Sequence, residues 1–158
     1  MPQFTDTKSR PWQVDLSIGL ALAIRSRLKV NFLNLLDGQA LEAINHSDET
    51  LVNVLWLICA EQAQAAGVDE VEFAMGLGGD VLGLAIDALL EALVLFTRPE
   101  NRPAIQRILD KSKEMHRRQV QLALAKIDSP EMEAAIAARL DQAGEQLNQR
   151  LRDLSLSS

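Results

Sequence analysis

The stretch DVLGLAIDALLEALVLFTRP, residues 80–99, decides the fold class of this chain. The only charged residues in its apolar run from Val81 to Phe96 are Asp87 and Glu91, which are four apart and share one face of a helix. A membrane span needs roughly 20 mostly apolar residues, which this run does not supply. Pro99 ends the pattern. We therefore predict an amphipathic helix within a mainly α-helical fold.

Capping residues and breakers on either side of this stretch predict further helices. The last of them has Ser129 as its N-cap and Pro130 in its first position. The predicted helices run from Ser17 to about Leu28, over Gln39–Asn45, from Ser47 to Ala66, over Asp69–Leu77, from an Asp80 cap to about Thr97, from an Asn101 cap to about Ile127, and from Ser129 onward.

The N-terminus has the pattern of a β-hairpin. Gln3–Thr5 precedes a polar turn at residues 6–10, and Trp12, Val14 and Leu16 then alternate with polar residues, as in a half-buried strand. The predicted fold is therefore mainly α, with an N-terminal β-hairpin, a small helical domain and a C-terminal arm that is either a long helical hairpin or a coiled coil.

Charge and aromatic residues divide the chain in two. Residues 31–98 carry eleven acids and one base, a net charge of −10, whereas residues 99–158 carry nine acids and ten bases. All six aromatic residues lie before residue 98. We predict a compact acidic domain over 1–98 and a two-helix arm over 99–158. Because nucleic-acid affinity depends largely on Lys and Arg, the acidic domain argues against a nucleic-acid partner.

No residue pattern in the sequence indicates a reaction. The one cysteine, Cys59, lies in an apolar helix and is expected to be a buried, inert thiol. His46 and His116 lack the companions of a metal site. The glycines before Asp80 lack the Lys of a phosphate-binding loop and are interpreted as a helix break. We predict no catalytic, cofactor-binding or metal-binding residues, no enzyme activity and no cofactor.

The last predicted helix carries an apolar stripe, which is the candidate binding site. Its steps of three and four residues come close to a heptad pattern over about three heptads. Two interpretations of this stripe have equal weight. In the first, the C-terminal helices fold back on residues 17–97; in the second, they bind a partner, which is either another protein or a second copy of the chain. The stripe consists of Met132, Ile136, Leu140, Ala143, Leu147, Leu151 and Leu154, and we predict Met132, Ile136, Leu140, Leu147 and Leu151 as the partner-binding residues.

Residues 3–98 resemble small bacteriophage and prophage tail-module proteins of the tail assembly chaperone type. The resemblance rests on a succession of apolar and glycine positions, and Ser9 stands where this family leads us to expect a Gly in the hairpin turn. The motifs that carry it are Phe4-Thr5-Asp6, Arg10-Pro11-Trp12-Gln13-Val14-Asp15-Leu16, Leu28-Lys29-Val30-Asn31-Phe32, Ala65-Ala66-Gly67-Val68-Asp69, Glu72-Phe73, Leu77-Gly78-Gly79-Asp80 and Leu95-Phe96.

The resemblance implies a non-enzymatic protein that binds the tape-measure protein or the tail tube protein during tail assembly. The alternative is a structural tail or neck subunit that stays in the particle and oligomerises through its C-terminal helices. A small acidic regulator that binds a host protein is a third possibility. A single cysteine and the lack of a signal-peptide cleavage pattern after Leu16 predict a cytoplasmic location. We expect protein partners and homo-oligomers, with no nucleic acid and no membrane.

Overall fold

The computed structural model describes residues 1–156, and this part of the chain forms a two-stranded hairpin followed by helices. The predicted fold class is therefore confirmed. The strands are β1 (Gln3–Thr5) and β2 (Pro11–Gln13); the helices are α1 (Ile18–Leu28), α2 (Gln39–His46), α3 (Asp48–Ala66), α4 (Glu70–Met75), α5 (Asp80–Phe96), α6 (Arg102–Ile127) and α7 (Pro130–Leu156), with 3-10 turns at Leu35–Asp37 and Pro99–Asn101.

The chain forms two compact units. The first unit is Met1–Glu114, and the second begins at Met115, inside α6. The sequence placed the division earlier, between residues 98 and 99. In the structure, the first part of α6 belongs to the first unit because Ile105 and Leu109 are buried in its core.

Helix α3 organises the first unit. It contacts α1, α2, α4, α5 and strand β2. Its fully buried residues include Val54, Leu55 and Cys59, so the most apolar face of the helix lies in the core. The other strand of the hairpin, β1, packs on α5. Most of the core is therefore aliphatic, as the composition predicts.

The hairpin is antiparallel, and Phe4 pairs with Trp12 across the two strands. Both side chains are buried, and so is Val14, while Gln13 and Asp15 are exposed as the alternation predicts. The ring of Trp12 meets the ring of Phe73 edge to face, with 5.0 Å between the ring centroids. This aromatic contact joins the hairpin to α4.

Most of the predicted helix caps are confirmed. The hydroxyl oxygens of Ser17, Ser47 and Ser129 each accept a hydrogen bond from a backbone N–H three residues later. The predicted cap at Asp80 is wrong. The residue before α5 is Gly79, with φ +53°, and Asp80 is the first residue of the helix. Its carboxylate contributes only its charge near the positive end of the helix dipole.

Ser9 occupies the hairpin position where the resemblance leads us to expect a Gly. Its φ is +63°, in the left-handed region that Gly adopts most easily. The backbone N–H of Ser9 donates to the carbonyl oxygen of Asp6 at 3.0 Å. The turn thus keeps the backbone shape of a glycine turn with a serine in it.

Among the helices described, none combines the length and the apolar character that crossing a membrane requires.

Candidate protein-binding helix

Helix α7 has no buried residue along its described length from Pro130 to Leu156. Ser129 holds its first turn: its hydroxyl accepts from Met132 N at 3.2 Å and donates to the carbonyl oxygen of Lys126 at 2.6 Å. Pro130 follows as the first helical residue, where its missing N–H costs nothing. The start of this helix is therefore well defined, although its sides are open to solvent.

The apolar residues predicted to bind a partner lie along the exposed sides of α7. Met132 is half-buried, whereas the exposed fraction is 48% for Ile136, 68% for Leu140, 58% for Leu147 and 55% for Leu151. If the helix packed this face against its own unit, the exposed fraction of each of these side chains would be below about a tenth. The α7 stripe, meaning the seven residues from Met132 to Leu154 named above, is thus an uncovered apolar surface.

The spacing of the stripe fits an almost straight helix. Its steps of four, four and three residues repeat every eleven residues, or about 3.7 residues per turn, close to the 3.6 of an α-helix. The stripe therefore stays on one side of α7 and drifts by only about 20° per repeat. From Met132 to Leu154, at about 1.5 Å per residue, this apolar face is roughly 33 Å long.

Charge is distributed unevenly along the second unit. The part of α6 after Glu114 carries Arg117, Arg118 and Lys126 and no acid. The first turn of α7 instead carries Glu131 and Glu133, a net charge of −2, while Arg150, Arg152 and Asp153 near its other end give a net charge of +1. The two ends of α7 therefore differ in sign, which bears on the direction in which a partner helix would lie.

Several apolar residues of distal α6 are also exposed. The exposed set is Met115, Val120, Leu122, Leu124 and Ile127. The apolar residues of α6 are thus divided, because the earlier Ile105 and Leu109 are buried and the later ones are exposed. Both helices of the second unit present apolar residues to solvent.

The residues with reactive side chains are placed as follows. Cys59 is fully buried, and this burial raises the pKa of its thiol to about 12. His46 is exposed on α2 and lies 4.0 Å from Glu42, while His116 is exposed on α6. Asp87 is exposed and lies 3.5 Å from the ammonium group of Lys113. Among residues 1–156, no three His, Cys, Asp or Glu side chains lie together as metal ligands.

A buried polar cluster around Asp6 is a feature that sequence reasoning missed. One carboxylate oxygen of Asp6 accepts from the backbone N–H groups of Lys8 and Arg10, at 2.9 and 3.0 Å. The other accepts from Arg10 Nε at 2.8 Å and Trp12 Nε1 at 3.0 Å. An Asp at the start of a turn whose carboxylate binds the N–H two residues later is a local signal that could have suggested the first of these bonds.

The Asp6 cluster also reaches α4. Arg10 donates to the carboxylate of Glu72 at 3.1 Å and to its backbone oxygen at 3.3 Å. Thr7 N donates to the carbonyl oxygen of Gly76 at 3.0 Å. Burial alone would raise the pKa of Asp6, but the hydrogen bonds from Trp12, Arg10 and Lys8 outweigh it and hold this pKa below its ordinary value. Each carboxylate oxygen already has two donors, so the cluster serves to join the hairpin to α4.

The open pockets of the first unit are shallow. One, of about 280 Å³, lies between the segment Phe32–Leu36 and the end of α5, and Ile18 also lines it. A second, of about 210 Å³, runs between α5 and α6 past Asp87, Glu91 and Leu109. The first pocket has a mainly apolar lining, and in the second Asp87 is already paired with Lys113, so we take the α7 stripe as the better candidate for a binding site.

Comparison of the chain with protein-family models, with curated proteins and with solved structures found no match.

Proposed function

We propose that the chain is a non-enzymatic assembly chaperone for bacteriophage tail components and that it binds its client through the α7 stripe. The observation that carries the binding site is the exposure of Ile136, Leu140, Leu147 and Leu151 along one face of a helix with no buried residue. The tail-assembly part of the proposal rests on the resemblance of residues 3–98 to that family.

The chemistry of the stripe favours a helical client. An amphipathic helix recognises a partner by laying apolar residues at spacings of three and four against the partner's own apolar face. Leu and Ile side chains offer no hydrogen bonds, so they recognise shape and apolar surface rather than a particular sequence. A tape-measure protein, as a long helical client in the proposed role, supplies such faces repeatedly. The tail tube subunit is the other client that the resemblance implies.

The net charge of the first unit suits this role. The first unit, residues 1–114, carries sixteen acids and ten bases, a net charge of −6, and a net charge of one sign helps to keep a protein in solution. A client held on the second unit would therefore be attached to a negatively charged, soluble body. In this proposal the protein acts in the cytoplasm of the bacterial host, before the tail is complete.

Co-expression with a bacteriophage tape-measure protein, and separately with a tail tube protein, tests the binding site. The double variant Leu140→Glu with Leu147→Glu should lose co-purification and leave the client insoluble. The control is Val71→Glu, which places a carboxylate at an equally exposed apolar residue of the first unit. Client binding by the double variant at the level of the control would contradict the assignment of the stripe.

Mass spectrometry of purified particles separates the proposed role from its alternative. An assembly chaperone leaves the particle, so peptides of this chain should be absent from finished tails. Recovery of the chain in a fixed ratio to the tube subunit would instead establish a structural tail or neck subunit. Both roles place the binding surface on α7, so this measurement tests the role independently of the site.

A further inference from the structure

The α7 stripe is nearly symmetric about its middle. Leu140 and Leu147 lie equally far from a point between Ala143 and Gly144, and Ile136 and Leu151 lie equally far from the same point. Met132 and Leu154 match to within one residue. An interface between identical copies related by a two-fold axis requires this kind of self-complementary surface. A second α7 in the opposite direction therefore places Leu140 opposite Leu147 and Ile136 opposite Leu151, so large residues meet in the central part of the face.

Side-chain size at the centre of the stripe fits the same arrangement. Ala143 and Gly144 are the smallest adjacent pair in the helix, and they lie at the symmetry point. A Cβ added to Gly144 would meet nothing within 4 Å, so the fold of this chain does not explain a glycine there. Gly within an exposed helix is unfavourable by itself. Close approach of a second helix at this point would explain why the two residues are small.

Charge decides the direction of the second helix. In an antiparallel pair, the end of α7 with Glu131 and Glu133, net charge −2, lies beside the partner's end with Arg150, Arg152 and Asp153, net charge +1, so ends of opposite sign lie together. In a parallel pair, each residue lies beside the same residue of the second chain, so the two acidic ends lie together and repel each other. The antiparallel direction also brings opposite ends of the helix dipoles together.

We propose that, without a client, two copies of this chain associate through antiparallel α7 helices and cover the stripe on each other. A client helix would then compete with the second copy for the same residues, so that the stripe is exposed only when a client replaces it. This competition rests on the proposed function, whereas the dimer itself does not.

Engineered disulfides in the full chain test the pairing without any client. A disulfide requires Cα atoms within about 7 Å. Ala143→Cys should form a covalent dimer on mild oxidation, whereas Glu145→Cys, on the opposite face near the same symmetry point, should not. The buried Cys59 gives little background reaction in the folded protein.

Two further variants report the direction. In the antiparallel pair, the two copies of residue 136 lie about 22 Å apart along the helix, at about 1.5 Å per residue. Ile136→Cys alone should therefore stay uncrosslinked, and Leu151→Cys alone likewise. An equal mixture of the two should give the mixed dimer. Crosslinking of Ile136→Cys with itself would overturn the antiparallel arrangement.

Sedimentation equilibrium of the unmodified chain provides the independent measurement. We expect the mass of a dimer, and the double variant Leu140→Glu with Leu147→Glu should sediment as a monomer because its four carboxylates would face one another. A monomeric native chain at every concentration, with no crosslinking at Ala143→Cys, would overturn the proposal. Client capture by that monomeric chain would still support the proposed function, so the two failures are distinguishable.

Discussion

The indole Nε1 of Trp12 donates a hydrogen bond of 3.0 Å to a carboxylate oxygen of Asp6, inside the protein. The side chain of Asp6 is fully enclosed, and Arg10 Nε donates to the same oxygen at 2.8 Å. A buried carboxylate is stable only when charge and hydrogen bonds compensate the loss of water. The Asp6 side chain thus accepts hydrogen bonds from the turn and from strand β2, and it binds Arg10, which in turn donates to Glu72.

Replacing Asp6 with Asn should destabilise the first unit strongly. Both carboxylate oxygens of Asp6 accept only from N–H groups. In either orientation of an Asn side chain, its amide N–H₂ would therefore point at N–H donors in place of one oxygen. Loss of one member of a buried ion pair costs about 3–5 kcal/mol of unfolding free energy. Urea unfolding followed by tryptophan fluorescence measures the change. The matched control is Asp15→Asn at an exposed position, where we expect a change within about 0.5 kcal/mol.

Acid should remove the contribution of Asp6. Its pKa in the folded protein lies below the ordinary value of 3.8, so the folded state favours the charged form. The stabilisation is fully present above pH 3.8 and is lost as the pH falls through the folded pKa. The difference in unfolding free energy between the native chain and Asp6→Asn should therefore narrow on acidification from pH 7. A difference that stays constant to pH 2 would contradict this assignment.

Gly76 should tolerate no larger residue. A Cβ at this position would lie 2.8 Å from a carboxylate oxygen of Asp6 and 3.1 Å from the guanidinium of Arg10. The hydrogen bonds to Asp6 prevent that carboxylate from moving away cheaply. We expect Gly76→Ala to cost about 1–3 kcal/mol, the usual range for overpacking. The unfolding midpoint in urea provides the measurement.

Gly78→Ala is the control for this change, two residues away in the same loop. A Cβ at Gly78 meets nothing within 4 Å, and its φ is outside the left-handed region. This substitution should leave the stability unchanged or raise it by about 0.4–1 kcal/mol through the unfolded state. Equal losses from the two variants would show that the close approach to Asp6 is not the cause.

Local features of the chain could be predicted from the sequence, and contacts between distant residues could not. Ser17, Ser47 and Ser129 act on backbone groups three residues away, so their roles as caps follow from neighbouring residues alone. The Asp6 cluster joins Arg10 to Glu72, 62 residues later, and no spacing rule connects them. The wrong prediction at Asp80 has a local cause, since the residue before the helix is Gly79, whose φ of +53° and ψ of −124° form a conformation that Gly adopts most easily.

The binding stripe could be predicted only as a pattern. Its spacing shows that Ile136, Leu140 and Leu147 share one face, but the same spacing is expected for a helix that packs on its own domain. Exposure is a property of the folded chain, because it depends on what the rest of the chain covers. The structure supplies this information: these residues are about half exposed or more.

Thiol reactivity should report the opening of the core around Cys59. The thiolate is the reactive form, and with a pKa of about 12 it is scarce at pH 8. We expect Ellman's reagent to modify Cys59 rapidly in denaturant and at least a hundredfold more slowly in the native protein. Asp6→Asn should raise the native rate as the unfolding free energy falls. Equal rates in the native and denatured protein would contradict the buried position of Cys59.

Stripe residues and core residues should differ in their effect on the stability of the first unit. Trp12 and Trp56 both lie in that unit, so tryptophan fluorescence follows its unfolding selectively. Leu55→Ala removes a fully buried side chain and should cost about 2–5 kcal/mol, since a cavity remains. Leu147→Ala makes the same chemical change at an exposed residue and should alter this transition by less than about 0.5 kcal/mol. A comparable loss from both variants would show that Leu147 contributes to the core of the first unit, and the stripe would then be unable to serve as a binding surface.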